Sequence, residues 1–344
     1  MALRYIDGFD LYTTATTDLA TRWGTAPTSS TYVALTTGRS GSGQAVRLYN
    51  TSSGVLGKTL DAQATWIVGF ALKIEAMPSS SVPYLVEFRD SAASSQASVI
   101  MTPTGALELF RGGQYGTLLA ASADVIAINV WNYIEIKLTV ADSAGVFEVR
   151  VNGTVVASYT GDTKASSSIA TASTVRFYAI GSSNCHFDDL YICDGTGSRN
   201  NSYLGDCRVD ALLPTGAGNT TQFTQNGGTS NWDNVASANP LDATKYNSAD
   251  TVGYSDSFAL ADLSALGSTI KGVQSVIMAK KDDAGERTMK SKLRISSTDY
   301  YGTTQALASS YAFVQDIFET NPNTSTTWTE SDINGMEIGY EVAA

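Results

Sequence analysis

The chain is expected to fold entirely from β-strands, as two sandwich domains, and three observations carry that expectation. Apolar and polar residues alternate with period two along much of the sequence. No window longer than a turn or two keeps the 3.6-residue period of a helix. Short strand-like runs recur between Ser, Gly, Thr and Asn turns, at a spacing that suits sandwiches. At 344 residues the chain is too long for one ordinary sandwich and comfortable for two, because single cores stop growing near ~250 residues.

Each element has its own signal. In 66–74, Trp66, Val68, Phe70, Leu72 and Ile74 share one face while Gly69, Ala71 and Lys73 share the other, the pattern of a core strand. In 131–140, Ile134, Ile136, Leu138 and Val140 oppose Tyr133, Glu135, Lys137 and Thr139, so one side is buried and one is wet. Phe147, Val149 and Val151 then run into Asn152-Gly153, and the chain returns through Val155 and Tyr159. Asn-Gly suits a type I′ turn, whose two central residues need positive φ, so this is a hairpin.

Further strands are expected at 175–178 and 187–192. The stretch 194–201 holds only turn-formers and marks a linker, giving a first domain over 1–197 and a second, smaller antiparallel sandwich over 198–344. Beyond it, 273–279 and 289–295 read as a long hairpin about the polar turn 281–285, with Met289, Leu293 and Ile295 facing in. Met336, Ile338, Tyr340 and Val342 form a closing strand, and Thr329 is placed to cap a short helical turn before it.

Charged residues are only 16% of the chain against 43% apolar, which describes a folded protein. A formal net charge of −11, with no basic run, argues against a nucleic-acid partner. No apolar stretch reaches the roughly 20 residues of a membrane span, and the start MALRYIDGFD has no signal-peptide pattern, so a soluble protein without a secretion signal is expected. Cys185, Cys193 and Cys207 lack a Cys-x-x-Cys pair, and His186 is the chain's one histidine; reduced, partly buried thiols are expected rather than a metal site.

No catalytic constellation emerges. Glycoside hydrolysis usually needs two carboxyl groups, yet Glu135 is followed at the same-face position by Lys137, and Glu148 by Arg150, as in cross-strand salt ladders. His186 has no nucleophile elbow to serve and is expected to face solvent or be capped. Asp7, Asp188 and Asp189, with Asp10 and Asp194 near them in sequence, are the carboxylates best placed for a calcium ion, the alternative being that they hold turn amides; no other cofactor is expected. Tyr49, Tyr84, Tyr115 and Tyr178 lie near strand ends and loops, where rings serve either a protein interface or a sugar. Lys290, Lys292 and Arg294 share a strand face, with Glu337 and Glu341 available to neutralise them.

Read in order, Tyr5-Ile6-Asp7-Gly8-Phe9-Asp10, Trp131-Asn132-Tyr133-Ile134-Glu135-Ile136, Val151-Asn152-Gly153-Thr154-Val155 and Phe187-Asp188-Asp189-Leu190-Tyr191-Ile192 resemble the laminin G/concanavalin A-like jelly roll over residues 1–195. The Glu-x-Asp-x-x-Glu strand of that fold's glucanases is absent. The run Ser202-Tyr203-Leu204-Gly205-Asp206-Cys207-Arg208-Val209 and the tail from Trp328 to Val342 are similar to structural proteins of tailed bacteriophages. That resemblance implies a non-enzymatic virion component, a fibre, spike or capsid-decorating protein, made in the bacterial cytoplasm and bound to other capsid or tail proteins as a homotrimer or another symmetric oligomer. Two rival expectations stand beside it: a lectin-like receptor-binding protein for host-surface polysaccharide, and a polysaccharide-degrading enzyme.

Overall fold

Alternation at period two becomes three main antiparallel sheets in the structure, a computed structural model that describes all residues except 1, 51, 80–82, 167, 182, 238–243 and 265–266. The chain divides into two units: Met1–Asp10 with Thr14–Val209, and Leu11–Thr13 with Asp210–Ala344. The architecture is all-β and sandwich-like, the first unit a jelly roll.

In the first unit, one sheet has eight strands in the order Thr154–Gly161, Gly145–Val151, Asn132–Thr139, Thr65–Ile74, Asn184–Asp194, Gln44–Tyr49 and Val33–Thr37, with Leu3–Asp7 added against Asn184–Asp194. The other has six, in the order Val55–Gln63, Ala172–Tyr178, Tyr84–Arg89, Ser95–Met101, Ala106–Arg111 and Thr117–Asp124. The large side chains of 66–74 are buried between the sheets, as the alternation requires. Phe70 meets Phe177 edge-on at 5.2 Å and Phe88 meets Phe147 at 6.4 Å, so aromatic rings from both sheets interlock. The Asn152-Gly153 hairpin forms, with φ of 50° and 80° at the two turn residues.

Two readings of this unit are corrected. A nine-residue helix, Ala15–Trp23, was not legible as a 3.6 period, because its buried face carries Asp18 and Arg22 beside Ala15, Leu19 and Trp23. Asp18 takes the Thr14 N–H at 2.8 Å, and Arg22 pairs with Asp7 at 3.1 Å, so these charges are neutralised inside the fold. Of the two expected salt ladders, only Arg150 to Glu148 forms, at 2.8 Å. Glu135 is buried and accepts instead from the Tyr191 hydroxyl at 2.5 Å and the Gly205 amide at 2.9 Å.

That Gly205 contact belongs to a strap, residues 195–209, which crosses the outer face of the eight-stranded sheet without regular structure. Leu204 N–H donates to the Tyr191 hydroxyl at 3.1 Å and Val209 N–H to Asp189 at 2.8 Å. Arg39 grips Asp189 and Asp206, each at 2.6 Å, and the Cys207 carbonyl at 2.7 Å. Tyr191 can lie flat over its neighbouring strand because residue 69 is glycine; a Cβ there would come within 2.1 Å of the Tyr191 ring.

In the second unit, Pro214–Thr221, Ser255–Leu260, Glu337–Val342, Thr288–Ile295 and Thr298–Tyr301 form the main sheet, with Gln305–Ala306 on Thr288–Ile295. Met289, Leu293 and Ile295 are buried as expected. The hairpin reading is corrected: Val273–Ala279 pairs with Ala312–Phe318, and Thr288–Ile295 pairs with the closing strand Glu337–Val342. The neutralised face exists in altered detail, with Lys290 to Glu341 at 2.8 Å and Arg294 to Asp299 at 2.7 Å. Thr329 caps the short helix Glu330–Asn334 through a capping box with Asp332.

Candidate functional site

Three of the four tyrosines singled out in the sequence converge on the outer face of the six-stranded sheet. Phe177 points inward, so its neighbours Arg176 and Tyr178 point outward on the strand Ala172–Tyr178. Arg176 is in register with Glu87 on the strand Tyr84–Arg89, which puts Glu87 and Arg89 on the same face. The Tyr178 hydroxyl donates to Glu87 Oε2, and Arg89 Nε lies 3.8 Å from Glu87 Oε1. The Tyr84 ring stacks tilted against Tyr178, centroids 5.1 Å apart. Gln114 N–H donates to the Tyr84 hydroxyl at 3.1 Å, which ties the loop carrying Tyr115 to the cluster. Tyr49 is elsewhere, in register with Asn184 on the eight-stranded sheet.

Tyr178 and Glu87 thus form a hydrogen-bonded phenol–carboxyl pair beside two arginines. Burial, and then the neighbouring Glu87, push the Tyr178 phenol above its ordinary range, so it keeps its proton at neutral pH. Burial likewise raises Tyr84. Glu87 is 6% exposed and Tyr178 8%. Arg176 Nε is buried without a hydrogen-bond partner among the described residues, while the Arg176 side chain also bonds the Tyr178 hydroxyl.

A second glutamate–tyrosine pair, Glu135 with Tyr191, occupies the outer face of the opposite sheet, but the strap covers it and its amides take up the pair's acceptors. No backbone amide is bonded to Glu87 or to the Tyr178 hydroxyl among the described residues. This difference, which no local pattern in the sequence discloses, singles out the six-stranded sheet.

The carboxylates proposed for calcium have other work. Asp7 accepts from Arg22, Trp23 Nε1 at 2.9 Å, Tyr5 at 3.0 Å and Phe9 N–H at 2.9 Å. Asp189 faces Arg39, and Asp188 accepts the Arg39 and Asp189 amides, each at 2.8 Å. These donors do not fit a cation: arginines already hold two of the three, and no group of three His, Cys, Asp or Glu side chains among the described residues is arranged for a metal. His186, expected to face solvent or be capped, is buried and capped: its ring nitrogens face Glu75 at 2.9 Å and Thr36 at 3.1 Å, and burial lowers its pKa. Cys185 and Cys193 are buried and Cys207 is half-buried. No helix among the described residues is long and apolar enough to cross a membrane.

No family model and no curated protein matches the chain. Among solved structures, alginate lyase Aly36B matches with a TM-score of 0.42 and 11% identity over 55% of this chain and 96% of that one. A mutant of it in complex with alginate tetrasaccharide matches at 0.41, 11%, 54% and 95%. Trypanosoma rangeli sialidase matches at 0.32 and 11% over 43% of this chain, which spans only 25% of that enzyme. The expected non-enzymatic virion role is corrected here: these matches are to a polysaccharide lyase and a sialidase, not to phage structural proteins. The acids, moreover, are not all matched by bases in salt ladders, since Glu135 bonds a tyrosine and a backbone amide instead.

Proposed function

We propose that the first unit degrades an acidic polysaccharide on the outer face of its six-stranded sheet. The observation that carries this reading is the buried Tyr178–Glu87 hydrogen bond with Arg89 and Arg176 beside it. A sugar carboxylate is the natural counter-ion for those guanidiniums, which bind carboxylates in a planar fork. Neutralising that carboxylate makes the proton on the adjacent ring carbon more acidic. Glu87 then accepts this proton, a carbon–carbon double bond forms as the glycosidic carbon–oxygen bond breaks, and the Tyr178 hydroxyl protonates the departing oxygen. One proton is taken and one is given, so the pair balances.

Elimination is favoured over two-carboxylate hydrolysis because the cluster holds one available carboxylate. The nearby Asp90 is committed to its own turn, accepting Ala92 N–H at 3.0 Å and Ser94 N–H at 2.8 Å. Incubation with uronate-rich polysaccharides, read by the ultraviolet absorbance of the unsaturated product and by chain length, tests this. Tyr178→Phe is expected to cut the rate by roughly 10²–10⁴-fold; full activity in that variant removes the assignment. The near-complete burial of Glu87 and Tyr178 also supports a second reading, recognition of the polysaccharide without cleavage. Retention on the polymer with no product would establish it.

A further inference from the structure

We infer that the loop from Gly112 to Gly116 presents Tyr115 as a sugar-stacking subsite at the rim of the Tyr178–Glu87 cluster, taking a pyranose ring next to the one held by the arginines. This rests on the polysaccharide reading above and adds the place where the polymer chain leaves the cluster. Tyr115 is 83% exposed, the most exposed of the chain's large hydrophobic side chains among the described residues. A phenol ring left in water forfeits the burial that aromatic residues ordinarily gain, whereas the C–H face of a pyranose covers it while the hydroxyl stays wet.

The loop is built to hold that ring out. Gly112 sits at φ 83°, and Gly116 N–H closes the turn on the Gly113 carbonyl at 2.8 Å. A Cβ at Gly116 would come within 2.0 Å of the Arg111 carbonyl, and one at Gly113 within 2.6 Å of the Tyr84 hydroxyl, so glycine is required for both approaches. The same Tyr84 hydroxyl accepts the Gln114 amide and its ring contacts Tyr178. The backbone one residue before Tyr115 is therefore tied to the cluster through Tyr84. At the other end of the loop Arg111 is pinned by Asp162.

The test is affinity electrophoresis of the whole chain through gels containing a uronate polysaccharide, here alginate and polygalacturonate, with the absorbance assay run in parallel. Tyr115→Ala is expected to weaken retention about tenfold in dissociation constant, and Tyr115→Trp to restore it, with the melting temperature unchanged because the ring is in solvent. Wild-type retention that survives Tyr115→Ala overturns the subsite while leaving the polysaccharide reading in place. A wild-type chain that is neither retained nor productive on either polymer overturns the reading and the subsite with it.

Discussion

Asp7 shows how a single carboxylate can look like a ligand in sequence and act as a keystone in the fold. Both its side chain and that of Arg22 are almost fully buried, at 1% and 3% exposed, and Asp7 also holds Trp23, Tyr5 and Phe9. Asp7→Ala removes a carboxylate that the buried Arg22, Trp23, Tyr5 and Phe9 all share, so a loss of ~3–5 kcal/mol is expected in denaturant unfolding; a loss under ~1 kcal/mol would mean the helix Ala15–Trp23 does not depend on it. Asp188 makes a pH prediction. Burial first, and then Asp189, raise its pKa to about 7. An acid whose folded pKa exceeds its unfolded value is protonated in the folded state while ionised in the unfolded one. The folded chain therefore binds more protons between ~4 and 7. Stability from this group is accordingly present at low pH and lost as pH rises through that window. Asp188→Asn is expected to flatten that part of the stability–pH curve, and an unchanged slope would contradict the assignment.

Among the elements, the strap 195–209 is where composition and structure diverge in meaning. Its Gly, Thr, Ser and Asn residues read as a linker, yet side chains of the first unit hold it in place: Arg39, Asp189, Glu135 and Tyr191. Few apolar groups secure it, so it should open locally well below the free energy of global unfolding. Arg39→Ala removes the grip on Asp206 and the Cys207 carbonyl. Hydrogen exchange should then show faster exchange at Leu204, Gly205 and Val209 with the sheet amides unchanged; equal protection in both proteins would mean the strap is held by other contacts. Strands with strong alternation, the Asn152-Gly153 hairpin and the Thr329 capping box were legible because each signal lies within a few residues. The pairing of Val273–Ala279 with Ala312–Phe318 was not, since no turn residue announces a partner so far along the chain. The helix Ala15–Trp23 was missed because its charges find their counterparts only once the fold exists.

For the whole molecule, two-unit sandwich architecture followed from length and periodicity, whereas the site did not. Tyr84, Glu87, Tyr115 and Tyr178 come from two strands and a loop, and only the sheet order sets them side by side. The tyrosines were visible one by one; Glu87 carried no signal, lying inside a strand with no second acid at the expected spacing. Nor could the sequence tell that one glutamate–tyrosine pair would be covered by the strap and the other left without it. The account depends on that second pair working on a charged glycan. The most direct measurement is the size distribution of alginate and polygalacturonate after incubation with the intact chain, compared with Tyr178→Phe. Shortened chains with unsaturated ends from the wild type, and uncut polymer from the variant, are the predicted result. Polymer left at full length by the wild type, or cut equally by both proteins, would contradict it.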